Sequence, residues 1–299
     1  MTRTASTIQC RLRAPGLPDL WVGGQAGRGR IPLVLTDDGI DGWWSAPSAK
    51  TSLTELQSGD GAHTPADEDI VYSARTIIIN YAVLGDRHTQ NEARDAIGMF
   101  MGRAGVTLTV YDAGTARQAT GYVTPAWSGT WVEAADTGSI TIVCADPLKY
   151  DATPTMGVLE PGTATVLGGL TYPADYPVDY HENRSSGGSW TATLVNHGNH
   201  AAYPTLGFTL AAGHSGTVGI KWDDGLGGAG RVACSPPPGS TTPIIADTRH
   251  GTASYAGLDM TPSFTARQWP TIPPGQTLTL TYEGAAGGRV TYETRGTYI

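Results

Sequence analysis

Cysteine, cationic side chains and long apolar runs are all scarce in this 299-residue chain, and each shortage removes a class of function. The three cysteines, Cys10, Cys144 and Cys234, are odd in number and widely spaced. That argues against a disulfide framework or a zinc site, and strand-like surroundings predict buried free thiols. Lys and Arg number 19 against 27 Asp and Glu, a formal charge of −8. Residues 1–150 hold 12 basic and 16 acidic side chains and residues 151–299 hold 7 and 11, so each half is −4. Neither half has the cationic excess needed to neutralise nucleic-acid phosphates. No apolar run approaches the ~18 residues that span a bilayer, and residues 1–10 lack the apolar core of a signal peptide. The chain is expected to be made and folded in a cytoplasm, without membrane insertion or sequence-specific nucleic-acid binding.

What the chain has in excess is Gly and Pro, 40 and 20 residues. Together they make about a fifth of the sequence, against an average near 12%, which implies many turns and short strands. Strand candidates open the chain at 8–12, 20–22, 31–35 and 40–44. A polar stretch follows over 45–70, and loops of that length are usually functional or flexible. Residues 75–84, RTIIINYAVL, read as a buried strand closed by Gly85-Asp86. Thr89 and Glu92 then form a capping box, and Ala93, Ala96, Ile97, Phe100 and Met101 lie at spacings of three and four until Gly102, which predicts one helix. Strand-like runs at 106–111, 118–123, 131–134 and 139–144 complete the first half.

The segment 151–188 carries Pro154, Pro161, Pro173 and Pro177 and a polar run over 181–188. Because Pro fixes φ and resists central strands, it is expected as a linker. Beyond it, seven or eight strands over 189–299 with no helical stretch fit a two-sheet sandwich. The reading is mainly β, with an N-terminal β-sandwich or split barrel carrying one α-helix over residues 1–150, a linker over 151–188, and a C-terminal β-sandwich over 189–299.

Chemistry finds little support. Asp67-Glu68-Asp69 places three carboxylates in a row, but adjacent side chains diverge and no second cluster is tied to them, so a solvated acidic loop is the better reading. Asp223-Asp224-Gly225 lacks the alternating ligands of a cation loop and reads as a hairpin turn. His197 and His200 fall in a Gly-Asn loop with no helix to align them on a metal. Neither Gly-x-Ser-x-Gly nor His-Glu-x-x-His occurs, and the Gly-rich stretches precede neither a helix nor a Lys-Ser/Thr pair. No enzyme activity, cofactor or metal is expected. The aromatic residues are skewed instead, with eight Trp and 13 Tyr against three Phe, towards rings that pack by the face and hydrogen-bond by the edge. Trp43-Trp44 is expected to send one ring to the core and the other to a partner, while Trp222, Tyr255 and Trp269 are candidates to stack on a carbohydrate or a protein partner.

Three blocks in order carry a family resemblance. They are the Gly59-Asp60-Gly61-Ala62-His63 loop before the Arg75 strand, with the helix after it and Cys144-Ala145-Asp146-Pro147 running to Tyr150; then Gly168 to Pro173 with Tyr176-Pro177; then Asn196-His197-Gly198-Asn199 leading to Ala202-Tyr203-Pro204. Together they resemble the distal tail proteins of long-tailed bacteriophages, of the actinobacterial phage type. That resemblance implies a galectin-like or jelly-roll-like C-terminal sandwich and a virion protein of the tail tip, or baseplate. It also implies a ring, hexameric in that family, joining tail-tube protein to the tail-tip hub or tail-associated fibre protein, with an extended hairpin from 45–70 reaching a neighbour. Trp43, Trp44, Asp67, Glu68 and Asp69 are the expected ring or partner contacts. A competing reading is a carbohydrate-binding adhesin that touches host-surface glycan through Trp222, Tyr255 and Trp269, and a third is a glycan-degrading tail enzyme.

Overall fold

The computed structural model describes residues 8–23, 31–66, 70–127, 135–161, 165–166, 184–185 and 190–299. It is mainly β and divides into two compact units, one of Met1–Ala152 with Tyr298–Ile299 and one of Thr153–Thr297.

In the first unit the strands are β1 (Gln9–Arg13), β2 (Leu20–Gly23), β3 (Leu33–Asp41), β4 (Arg75–Leu84), β5 (Val106–Asp112), β6 (Thr115–Trp127), β7 (Ala135–Cys144) and β8 (Lys149–Asp151), with helix α1 (Arg87–Gly98) between β4 and β5. They follow the order β2-β1-β5-β6-β7-β4-β3. Strand β6 belongs to two sheets: its first half, to Gly121, pairs with β5, and its second half, from Tyr122, pairs with β7. A Cβ at Gly121 would run into the main chain of Val143, so glycine is what lets the strand turn this corner. At the far ends of the path, a Cβ at Gly23 of β2 would touch Leu35 of β3. The result is a split barrel around Leu12, Val22, Ile77, Ile79, Leu108 and Ile142. Strand β4 alternates buried and outward residues along its whole length, as a strand with one core face must.

Three expectations at this level change. The candidates at 31–35 and 40–44 are one strand, β3, whose register with β4 shifts between Leu35 and Ile40. The extra residues bulge out at Asp37-Asp38-Gly39, which the sequence reads as a break. The cap of α1 is Asp86, not Thr89: the Asp86 carboxylate accepts from the Thr89 amide at 2.9 Å and hydroxyl at 2.8 Å. Gly85, at φ +140°, frees the chain to start the helix one turn earlier. Ala93, Ile97 and Phe100 are buried as the stripe predicts, but Met101 lies beyond the helix and is exposed. The run 131–134 lies outside the described residues.

The second unit begins inside the expected linker. Strand β9 (Thr155–Leu159) pairs antiparallel with Gly288–Thr294, the strand β21, and buries Leu159 completely. Its Pro residues flank rather than interrupt it, which is why Pro content alone misplaces it. Then come β10 (Thr165–Val166) and β11 (Arg184–Ser185), paired with each other. They precede β12 (Thr191–Val195), β13 (Thr205–Leu210), β14 (Val218–Asp223), β15 (Ala229–Cys234), β16 (Ile244–Asp247), β17 (Thr252–Tyr255), β18 (Leu258–Asp259), β19 (Ala266–Arg267), β20 (Thr277–Gly284) and β21 (Gly288–Thr294). One sheet runs β12-β20-β14-β15-β19 and the other β18-β17-β16-β13-β21-β9. Leu194, Leu206, Phe208, Ile220, Val232 and Leu280 fill the space between them. A final short strand, β22 (Thr297–Tyr298), pairs with β8. All three cysteines are free and buried.

Candidate functional site

Between Trp43 and Arg75, both buried, no described residue is buried. The chain leaves the barrel there and returns as a thin hairpin. Main-chain hydrogen bonds rung its two sides: Ser73 N to Ser48 O at 2.8 Å, Lys50 N to Val71 O at 2.8 Å, His63 N to Thr54 O at 2.9 Å and Leu56 N to Gly61 O at 3.0 Å. Isolated bridges join Ala49 to Tyr72 and Glu55 to Ala62. Two strands without a third bury almost nothing and are marginal in water by themselves. Yet this arm displays Leu53, Ile70 and Val71 at 62%, 41% and 52% exposure, beside Trp44 at 55%. Large apolar groups are thus exposed on an element none of whose described residues is buried.

The root of the arm is held by two buried cations. Arg75 donates from Nε to Pro147 O at 2.7 Å and from one terminal nitrogen to Gly42 O and Ser45 O at 2.8 and 2.7 Å. Lys149 donates to Trp43 O at 2.8 Å and sits 5.5 Å from the centre of the Trp43 ring. Burial, reinforced by the Arg75 and Arg117 charges, pulls the Lys149 ammonium down to about 8. A second surface adjoins. The outward face of β6, β7 and β4 carries Tyr122, Val143 and Thr76 in one row, Thr124, Thr141 and Ile78 in the next, and Ala126, Ser139 and Asn80 in a third. None of the nine is charged or buried.

Of the sequence candidates in the first half, Trp43 is 4% exposed and packs in the barrel core, while Trp44 faces solvent. The two rings diverge on a turn after β3 rather than on a strand. Asp67, Glu68 and Asp69 lie outside the described residues. In the second unit Trp222, Tyr255 and Trp269 are each half-buried at its core edge. The Trp222 indole N–H is committed to Gln268 O at 2.6 Å, Trp269 tilts against Phe264 at 5.6 Å, and the Tyr255 hydroxyl meets Ser240 Oγ at 3.0 Å. None of the three lines the wide cleft of about 960 Å³ that Glu160, His214, Ser240 and Arg289 border. Asp223-Asp224-Gly225 forms the β14–β15 turn, with the Asp224 carboxylate accepting from Leu226 N and Gly228 N at 2.8 Å each. Among the described residues, no group of three or more His, Cys, Asp and Glu is placed to hold a metal ion. No described helix is long and apolar enough to cross a membrane.

Sequence reading passed over Leu53, Leu56, Ile70 and Val71, which sit in a stretch that is polar on average, and over Arg75 and Lys149. The available signal was a cation opening a ten-residue strand that carries no other charge.

No protein-family model and no curated protein matches the chain. Solved structures do. One is the Dit protein of SPP1, described as a paradigm of the hub adsorption apparatus of phages that infect Gram-positive bacteria. It is 14% identical with a TM-score of 0.56, over 89% of this chain and 94% of that one. The baseplate of phage P2 in its activated conformation, with calcium or with strontium, is 13% identical over 96% and 97%, with a TM-score of 0.46. At such identity the SPP1 likeness speaks for the fold, which it shares along nearly the whole chain.

Proposed function

We propose that this protein is a structural component of a bacteriophage tail tip, whose copies join head-to-tail into a closed ring of six subunits. The observation that carries the reading is the arm: an apolar-bearing hairpin with buried roots and no described buried residue, on a fold shared over most of the chain with the SPP1 Dit protein. Head-to-tail contacts use two different patches of one surface, and they close when the rotation between copies divides a full turn. The arm supplies one patch, with Leu53, Leu56, Ile70, Val71 and Trp44 as anchors. The outer face of β4, β6 and β7 has no charge to desolvate, and its hydroxyl and amide side chains suit a hydrogen-bonded contact with a further copy. One ring face meets tail-tube protein and the other a tail-tip hub or tail-associated fibre protein, in the virion. The work is assembly, and it asks for no turnover and no cofactor.

Purified protein examined by light scattering and negative-stain imaging tests this. Rings, or a concentration-dependent shift towards six copies, are expected, and Leu53→Asp with Leu56→Asp should abolish them while the far-ultraviolet circular dichroism stays unchanged. A monomer at every concentration, absent from assembled particles, overturns the reading. Submillimolar saccharide binding lost in Trp222→Ala or Trp269→Ala would favour the adhesin instead.

A further inference from the structure

We propose that Arg75 and Lys149 are positioning residues for the arm: together they fix the turn from which it leaves the barrel, and so the direction in which it reaches a neighbouring copy. The inference rests on the ring reading only for that last clause. Its basis is two buried cations whose hydrogen bonds run to main-chain carbonyls. Three of the four successive carbonyls of Gly42, Trp43, Trp44 and Ser45 accept from the two cations, and a fourth bond, from Arg75 to Pro147 O, ties the same guanidinium to the turn before β8.

A buried cation is costly, and apolar packing of similar volume is usually no less stable. Holding the barrel together is therefore a poor explanation for keeping two of them. What a guanidinium does that an apolar chain cannot is set several carbonyls at once in fixed directions, through charge-assisted hydrogen bonds in a rigid fork. The backbone at the root is equally constrained. Gly42 has φ +73° and approaches Thr76 so closely that a Cβ would overlap its carbonyl oxygen. Trp43 plugs the core directly beside it. A small rotation at this turn is multiplied along the arm, because no described residue of the thin hairpin is buried to correct it.

The experiment uses the full-length chain, kept dilute enough to be monomeric. Spin labels on Ser58→Cys at the arm tip and Thr137→Cys on the barrel report the tip-to-barrel distance distribution by pulsed electron resonance; the three native thiols are buried, leaving the introduced ones as the labelling sites. A narrow distribution is expected in this background. Adding Arg75→Met with Lys149→Met should broaden it at least twofold without a change in circular dichroism, and self-association of the unlabelled double variant should weaken about tenfold. If the double variant does not fold, Lys149→Met alone, which frees only the Trp43 carbonyl, should broaden it less but measurably. An unchanged distribution in a folded variant, or a broad one before substitution, overturns the proposal. If broadening occurs in a protein that never self-associates, positioning stands and the ring reading fails.

Discussion

Asn196 shows how much one buried amide can do in a sandwich of short strands. It is 1% exposed; its Nδ2 donates to His200 O at 2.7 Å and Ile272 O at 3.1 Å, and its Oδ1 accepts from Gly198 N at 2.9 Å and Thr297 N at 3.3 Å. Gly198 beside it leaves no room for a Cβ against Thr297. The Asn-His-Gly-Asn block is thus legible as a motif, but its reason is a meeting of loops distant in sequence. Asn196→Ala should destabilise the second unit by about 3 kcal/mol, since it strands buried main-chain groups, and urea melts will measure it. Lys149 makes a prediction of opposite character. Its folded pKa of about 8 lies below the ordinary 10.5, so between those values the unfolded chain holds a proton that the folded chain has released. Stability of the wild type relative to Lys149→Met should therefore rise with pH from about 8 to about 10.5 and run level on either side. Burial pushes the Cys10 and Cys234 thiols up to about 12 and Cys144 up to about 11. Disulfide reagents at pH 8 should label almost none of them in native protein and three per chain in denaturant.

At the scale of elements, periodicity was a good guide wherever a strand or helix had one buried face. The stripe of α1 and the alternation of β4 are such cases, because burial itself imposes the period. The guide failed where a local turn was also a bulge, merging two expected strands into β3, and where a strand borrows its burial from a partner 130 residues away, as β9 does from β21. The arm lies outside its reach altogether, for an element with no core has no periodic pattern to show. Replacing residues 49–72 by a short Gly-Ser link should leave the melting temperature within about 3 °C, since no described buried side chain is lost. It should nonetheless eliminate self-association in sedimentation velocity.

The molecule as a whole holds two independent cores, so calorimetry should show two transitions. Tyr298 belongs to the first although it lies nearly 150 residues beyond the rest of it: its ring sits 3.6 Å from the Arg117 guanidinium and is 9% exposed. Tyr298→Ala should lower the first unit by about 3 kcal/mol and leave the other transition in place.

Taken alone, the sequence determined the mainly β class, the helix after β4 and the free buried thiols, because composition and alternation register directly the demand that one face of each element be buried. Tertiary structure alone decided that β6 serves two sheets, that Arg75 and Lys149 meet the carbonyls of one turn, and that the described residues between Trp43 and Arg75 stand clear of the core. Those features depend on which distant segments come together, and pairwise proximity across a fold leaves no periodic trace along the chain.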